Sequence, residues 1–218
     1  MTLGIYGAGG LGREILVLAQ QINNLEDKWD KIIFIEDNPH ADTLMEKQII
    51  AYDDISNYYS ARDIEFIIAV GEPHGRHILR DKVKKGGFQL TTLIHPSVFI
   101  PDDTKLGEGV IIGYNCFISC NIVIGDGVLI QQFVNIGHDS IIGNDSVISA
   151  YVCVAGACCI GESTYIGMHV PIREKIKIGS QTIIGMGAVV VNDISDLVIA
   201  IGNPARVVKN NDNLRVFK

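Results

Sequence analysis

No run of 18 apolar residues occurs in this 218-residue chain, so no segment is long and apolar enough for a membrane-spanning helix. The opening "MTLGIYGAGG" lacks the basic stretch and apolar core of a secretory signal, and the expected location is the cytoplasm, without a membrane anchor. Clustered positive charge is missing as well. The 18 Lys and Arg stand against 25 Asp and Glu, a net charge of −7, and nucleic acid is not an expected partner. The five cysteines, Cys116, Cys120, Cys153, Cys158 and Cys159, form no CxxC pair and no Cys/His ligand spacing. They read as small core and surface fillers in a reducing compartment, with neither a disulfide framework nor a metal site expected. What remains is an ordinary globular composition, 47% hydrophobic and 20% charged, sufficient for a proper core in one large domain or two small ones.

What the chain has in abundance is a period. Every sixth position from Ile94 to Val190 is aliphatic, seventeen in succession, and nine of these residues are followed by Gly. At the overall hydrophobic content such a run has a chance probability of roughly 10⁻⁶. Six residues fit neither a helix nor a simple alternating strand. They fit short strands joined by tight corners, with Gly expected to supply the unusual backbone angles at those corners. Each unit can bury its aliphatic residue only by stacking on the next, which predicts a parallel β-helix.

The first part of the chain has another pattern. "TLGIYGAGGLGREILVLAQQI" reads as an apolar strand, a Gly-rich turn and a helix, and "KIIFIEDN" and "IEFIIAVGE" read as two more buried strands. Strands alternating with helical stretches predict a small Rossmann-like βαβ domain over residues 1–88, ahead of a β-helix domain with a C-terminal tail over 89–218. Glycines 7, 9 and 12 partly fit the dinucleotide pattern G-x-G-x-x-G, and the acidic pair Glu36 and Asp37 follows the second strand. Such a turn presents N–H groups to a phosphate, but the same glycines also serve a helix packed tightly on a strand. An NAD-dependent enzyme would need a longer sheet than 88 residues provide.

The [LIV]-G-x-x-x-x hexads resemble the left-handed parallel β-helix of the hexapeptide-repeat acyltransferases, in which three hexads make one triangular turn. The left hand is what that resemblance implies, since ordinary parallel crossovers are right-handed. The succession "GAGGLGRE", "FIEDN", "AVGE", "LIHPS", "GHD" and "AIGNPARVVK" runs through essentially the whole chain. It resembles the acetyltransferases that modify nucleotide-linked amino sugars, and the sialic-acid O-acetyltransferases of the same architecture. That resemblance implies acetyl-CoA as donor and a nucleotide-linked amino sugar as acceptor, of the 4-amino-4,6-dideoxy type used in bacterial surface glycans. Gly9 and Gly10 would lie near the nucleotide's diphosphate and Asp37 near its base, with Gly7 and Gly71 also among the substrate-binding residues. His138 would be the general base, oriented by Asp139, and the Gly156 N–H would face the oxyanion. Gly167, Gly185 and Ala188 would line the pantetheine arm, while Pro204, Arg206 and Lys209 would meet the adenine and phosphate end. The family is trimeric, with active sites between neighbouring β-helices.

Acyl transfer to an amine needs a base that removes a proton as nitrogen attacks the thioester, and a neutral His beside a carboxylate suits that task. Without the resemblance, His138 and Asp139 read equally well as a solvated corner. Three readings therefore stand: N-acetylation, O-acetylation by the same pair, and a non-enzymatic β-helix used in assembly. Many relatives carry a second His where this chain has Val147, a His in the Gly-rich loop where it has Leu11, and Asn where it has Gln131. Among the other histidines, His95 fits a boundary role and His169 a place beside the donor groove. His40, His74 and His77 fit a solvated surface.

Overall fold

The computed structural model describes residues 1–217. Its N-terminal part runs β1 (Thr2–Tyr6), α1 (Gly10–Glu26), β2 (Lys31–Glu36), β3 (Thr43–Leu44), β4 (Lys47–Ala51), α2 (Ile55–Tyr58), β5 (Ile64–Ile68), α3 (Pro73–Lys85) and β6 (Gln89–Leu90). These strands form one sheet in the order β3-β4-β2-β1-β5-β6, parallel except for β3. β1 is buried along its whole length, as expected of a central strand covered on both faces. One face packs α1 through Ile15, Leu16, Leu18, Ala19 and Ile22, and the other collects Tyr6, Ile33, Ile35, Phe66 and Val83.

From Leu93 to Ile184 the chain is a left-handed parallel β-helix built of two-residue strands, followed by the antiparallel pair Val198–Ile201 and Arg206–Asn210. Ile130 pairs with Ile148 and Ile136 with Val154, eighteen residues on, so three hexads complete one coil. The hexad aliphatics point inward and form one continuous core from Ile112 to Val190, with Cys116 and Cys158 among them. Burial pushes the Cys116 thiol up to about 11, so it stays a protonated filler.

The hexad glycines have a different job from the one the period suggested. None of the nine adopts a positive φ; the left-handed angles fall two residues later in the hexad, on Gly109, Gly127 and Gly187 and on non-glycine residues such as Asp139 (φ 60°), Asp145 (57°) and Tyr151 (63°). A Cβ at Gly143 would lie 2.6 Å from the backbone of Gly161 and Glu162, and one at Gly137 would lie 2.7 Å from Ala155 and Gly156. The glycines permit coil-to-coil approach, and the corner torsion is absorbed by the next residues but one.

The two parts are locked together on one face of the β-helix. Leu93, Ile111, Leu129 and Val147 share a core with Ile15 and Leu18 of α1. Below it, α3 inserts two arginines. Arg80 grips Asp145 with two bonds (2.8 and 2.9 Å), and Asp145 is only 2% exposed. Arg76 is wholly buried and donates to Gly127 O, Ile68 O and Val70 O at 2.7–2.9 Å. His77, expected to be solvated, sits 3.0 Å from Asp145 at the same joint.

Candidate active site

Each corner column of the β-helix repeats every eighteen residues, and one of them contains Asn121, Asp139, Ala157 and Lys175, all left-handed. His138 stands beside this column with its side chain 61% exposed. Its Nδ1 is 2.7 Å from Asp139 Oδ2, while Asn121 Nδ2 donates to Asp139 Oδ1 at 2.6 Å. A carboxylate only accepts, so Nδ1 carries the proton and Nε2 keeps its lone pair. The Asn121 bond, then the His138 bond, hold the Asp139 carboxyl below the usual carboxylate range.

The imidazole lies over Gly156. Any Cβ there would collide with His138 Nε2 and crowd Cε1 (2.7 Å). The Gly156 N–H meets no acceptor among the described residues. At the same hexad position on another corner, the N–H groups of Glu108, Asp126, Glu162 and Ser180 are each bonded by a side chain from the next coil, Asp126, Asn144, Ser180 and Asp196, whereas the corner of Gly156 has no such bonds among the described residues. Lone pair and free donor thus sit side by side on the outer surface.

The Gly-rich loop divides its glycines between two uses. Gly7 has φ +117° and lies tight on Ala69, and a Cβ on Gly12 would strike Gly7 O, so both serve packing. Around Gly9 there is open space, and only the guanidinium of Arg13, 4.0 Å away, approaches Gly10. These two begin α1, whose first N–H groups have no intrahelical acceptor and favour an anion. Ala8 N–H is already taken by Glu36 (2.5 Å). Asp37 accepts from Tyr6 OH and from Lys82 Nζ (2.6 Å). Partial burial pushes the Asp37 pKa up, but those two bonds outweigh it and leave a net lowering.

Beside this loop a cavity of about 330 Å³ opens between α1 and the β-helix, lined among others by Leu11, Glu14, His95, Tyr114, Gln131 and Gln132. His95, expected at a boundary, is thus also a lining residue. Its Nδ1 accepts from Ser97 N–H (3.0 Å), and burial lowers its pKa, which keeps it neutral. Val147 is buried in the joint against α1, so a polar ring there would lose its solvent.

The remaining expected positions lie elsewhere. The N–H groups of Gly167 and Gly185 are bonded in the coil ladder to Ile184 O and Ala200 O, and the Ala188 methyl is in the core. Pro204, Arg206 and Lys209 are exposed past the last coils, and Gly71 abuts Leu11 and Phe217. His169 stacks on Tyr151 (4.8 Å between centroids), which stacks on Phe133, forming an aromatic corner. Among the described residues, no three of His, Cys, Asp and Glu converge as metal ligands would. Arg13, Glu14, Glu72, Gln132 and Phe217 were not singled out by sequence, because only the fold brings them to the loop and cavity.

Residues 2–83 match the PglD N-terminal domain family, and residues 121–156 match the bacterial transferase hexapeptide family of six repeats. Solved structures resemble this chain over nearly all of its length. The acetyltransferase domain of PglB from Neisseria gonorrhoeae FA1090 is 27% identical, with a TM-score of 0.88, covering 95% of this chain and 99% of that one; it is also known in complex with acetyl coenzyme A. PerB from Caulobacter crescentus, in complex with CoA and GDP-perosamine, is 25% identical over 95% of this chain and 97% of its own, with a TM-score of 0.86. WeeI from Acinetobacter baumannii AYE is 29% identical over 95% and 100%, with a TM-score of 0.76. No curated protein sequence matches the chain significantly.

Proposed function

We propose that this protein transfers the acetyl group of acetyl-CoA to the amino group of a nucleotide-linked amino sugar. The observation that carries the chemistry is the His138 imidazole, with its Nδ1 proton committed to Asp139 and its Nε2 beside the free N–H of Gly156. The amine nitrogen attacks the thioester carbonyl while His138 Nε2 removes its proton, and Asp139 stabilises the imidazolium that forms. The Gly156 N–H donates to the oxyanion. Collapse of the tetrahedral intermediate breaks the C–S bond, and the His138 imidazolium returns its proton to the leaving sulfur, so that CoA departs as the thiol and His138 is neutral again.

The acceptor's diphosphate is assigned to Gly9 and Gly10, with Gly7 and Gly71 shaping that loop region and Asp37 towards the base. Residues 1–88 are thereby the acceptor-binding part, and 89–218 the catalytic and donor-binding part. Gly167, Gly185 and Ala188 are assigned to the wall along the pantetheine, and Pro204, Arg206 and Lys209 to the adenine and phosphate end. The likeness to PerB, solved with CoA and GDP-perosamine, supports a nucleotide-linked 4-amino sugar as the acceptor class.

The acceptor part packs on the face holding Leu93, Ile111, Leu129 and Val147, whereas His138 stands at a corner outside that joint. An acceptor seated on one copy therefore meets His138 of another, and the working unit is proposed to be a homotrimer sealed along exposed apolar residues such as Tyr114, Phe117, Tyr151 and Met168. No helix among the described residues is long and apolar enough to cross a membrane. Both substrates are cytoplasmic metabolites, and the reaction is placed there.

The test is release of free thiol from acetyl-CoA across UDP-, dTDP- and GDP-linked 4-amino sugars, with sialic acid as the hydroxyl control. One amino sugar is expected to release thiol rapidly. His138→Ala should then lower kcat by about two powers of ten or more with the KM for acetyl-CoA unchanged. Release with sialic acid alone would replace this reading by O-acetylation, and silence throughout by a non-enzymatic role.

A further inference from the structure

The tail past the last coil returns to the Gly-rich end of the sheet. It leaves the β-helix at Asn211, which is 6% exposed; its N–H donates to Leu197 O and its side-chain Nδ2 to Gln181 O, both at 2.8 Å. It lands on Glu72. The Glu72 carboxylate accepts the Val216 N–H (2.9 and 3.1 Å to its two oxygens) and the Phe217 N–H (3.2 Å). Glu72 is the N-cap residue of α3, yet its side chain makes no capping bond to that helix. A carboxylate that could satisfy its own helix is committed instead to two backbone donors 144 and 145 residues away.

That clasp places one aromatic ring. The Phe217 ring meets Tyr165 edge-on at 5.7 Å, and both it and Leu11 stand within 4 Å of where a Gly71 side chain would begin. Leu11 immediately follows the open pair Gly9 and Gly10 and lines the 330 Å³ cavity. Phe217 keeps 54% of its surface exposed, which nothing in the packing of the tail requires.

We propose that the strap formed by residues 211–217, clasped by Glu72, is the outer rim of the acceptor site, and that Phe217 packs on the diphosphate-sugar end of a nucleotide-linked sugar. This rests on the acceptor reading given above. The ring supplies a C–H and π surface next to Gly71, on the side of Leu11, which follows Gly9 and Gly10 in the loop, and Glu72 acts as a positioning residue that holds the ring there. Acetyl-CoA, assigned to the β-helix surface, is untouched.

Calorimetry on the full-length protein with UDP, GDP and dTDP, and separately with CoA, tests this. Phe217→Ala and Glu72→Ala are each expected to weaken binding of the preferred nucleoside diphosphate by roughly tenfold, the effect of one lost aromatic contact, with CoA affinity unchanged. Phe217→Tyr should restore it. Phe217 is exposed, so its variants fold, and they decide the matter even if Glu72→Ala loosens α3. Unchanged nucleotide affinity in Phe217→Ala, an equal loss for CoA, or no nucleoside diphosphate bound by the unaltered protein overturns the proposal. If the strap variants weaken nucleotide binding but the unaltered protein transfers no acetyl group, the strap stands and the acetyltransferase reading falls. If transfer proceeds and the variants bind as tightly as the parent, the strap falls alone.

Discussion

The imidazole of His138 rests on a residue without a side chain, and the space is too small for one. Gly156→Ala would drive a methyl group into His138 Nε2. The ring must swing away from both Asp139 and the Gly156 N–H. Since misplacing a catalytic group by about 1 Å can cost on the order of a hundredfold, kcat should fall by roughly that factor. The melting temperature should scarcely move, because both residues lie at the surface; a rate within twofold of the parent would detach Gly156 from the site. Asp139 offers a pH measurement. Bonds from Asn121 and His138 favour its ionised form, so Asn121→Ala should raise its pKa towards that of a free carboxyl, as followed by carboxyl NMR. A lowered native pKa contributes stability above the unfolded value that is lost as pH falls, so this contribution shrinks in the variant. No movement of the titration would show that Asn121 does not hold the carboxylate.

At the scale of the coil, glycine acts by what it leaves out. Gly143→Ala places a Cβ 2.6 Å from the backbone of the next coil, where no flexible side-chain end can yield. The coils must part locally, and a loss of about 1–3 kcal/mol is expected in denaturant unfolding. If Gly143→Ala unfolds like the parent, coil spacing is softer than the geometry implies. The torsional expectation holds at the corners Gly109, Gly127 and Gly187 but not at the others: Asp139, Asp145, Tyr151 and His169 adopt left-handed angles themselves, held by coil-to-coil bonds such as Asp145 N–H to Asp126 O and Ala157 N–H to His138 O. A six-residue period shows that one position is small, but not whether the constraint is an angle or a neighbour.

Across the whole molecule, the separation of the acceptor loop from His138 makes a prediction of its own. Gly10→Asp sets a negative charge at the N-terminus of α1, a substitution the helix tolerates but a diphosphate does not. It should be inactive, as should His138→Ala. Co-expressed, the two should regain measurable thiol release, because some sites then combine an intact loop from one copy with an intact His138 from another. A mixture as inactive as its parents would place the loop and the base of a working site within one chain.

The linear chain determined whatever repeats or is contiguous. The hexad period from Ile94 to Val190 dictated a β-helix because an aliphatic residue at every sixth position has only one way to be buried, and His138 and Asp139 are neighbours in sequence before they are partners in space. The run from β1 through the glycines into α1 was legible for the same reason, being a local sequence of strand, turn and helix. Tertiary structure alone decided the rest. Which glycines pack and which lie open, the burial of Val147 against α1, the grip of Arg80 on Asp145 and the clasp of Glu72 on a strap 144 residues distant all join segments with no shared period. Contacts of that kind depend on how the sheet docks on the β-helix, and docking is set by the shape of two finished surfaces, which no local pattern encodes.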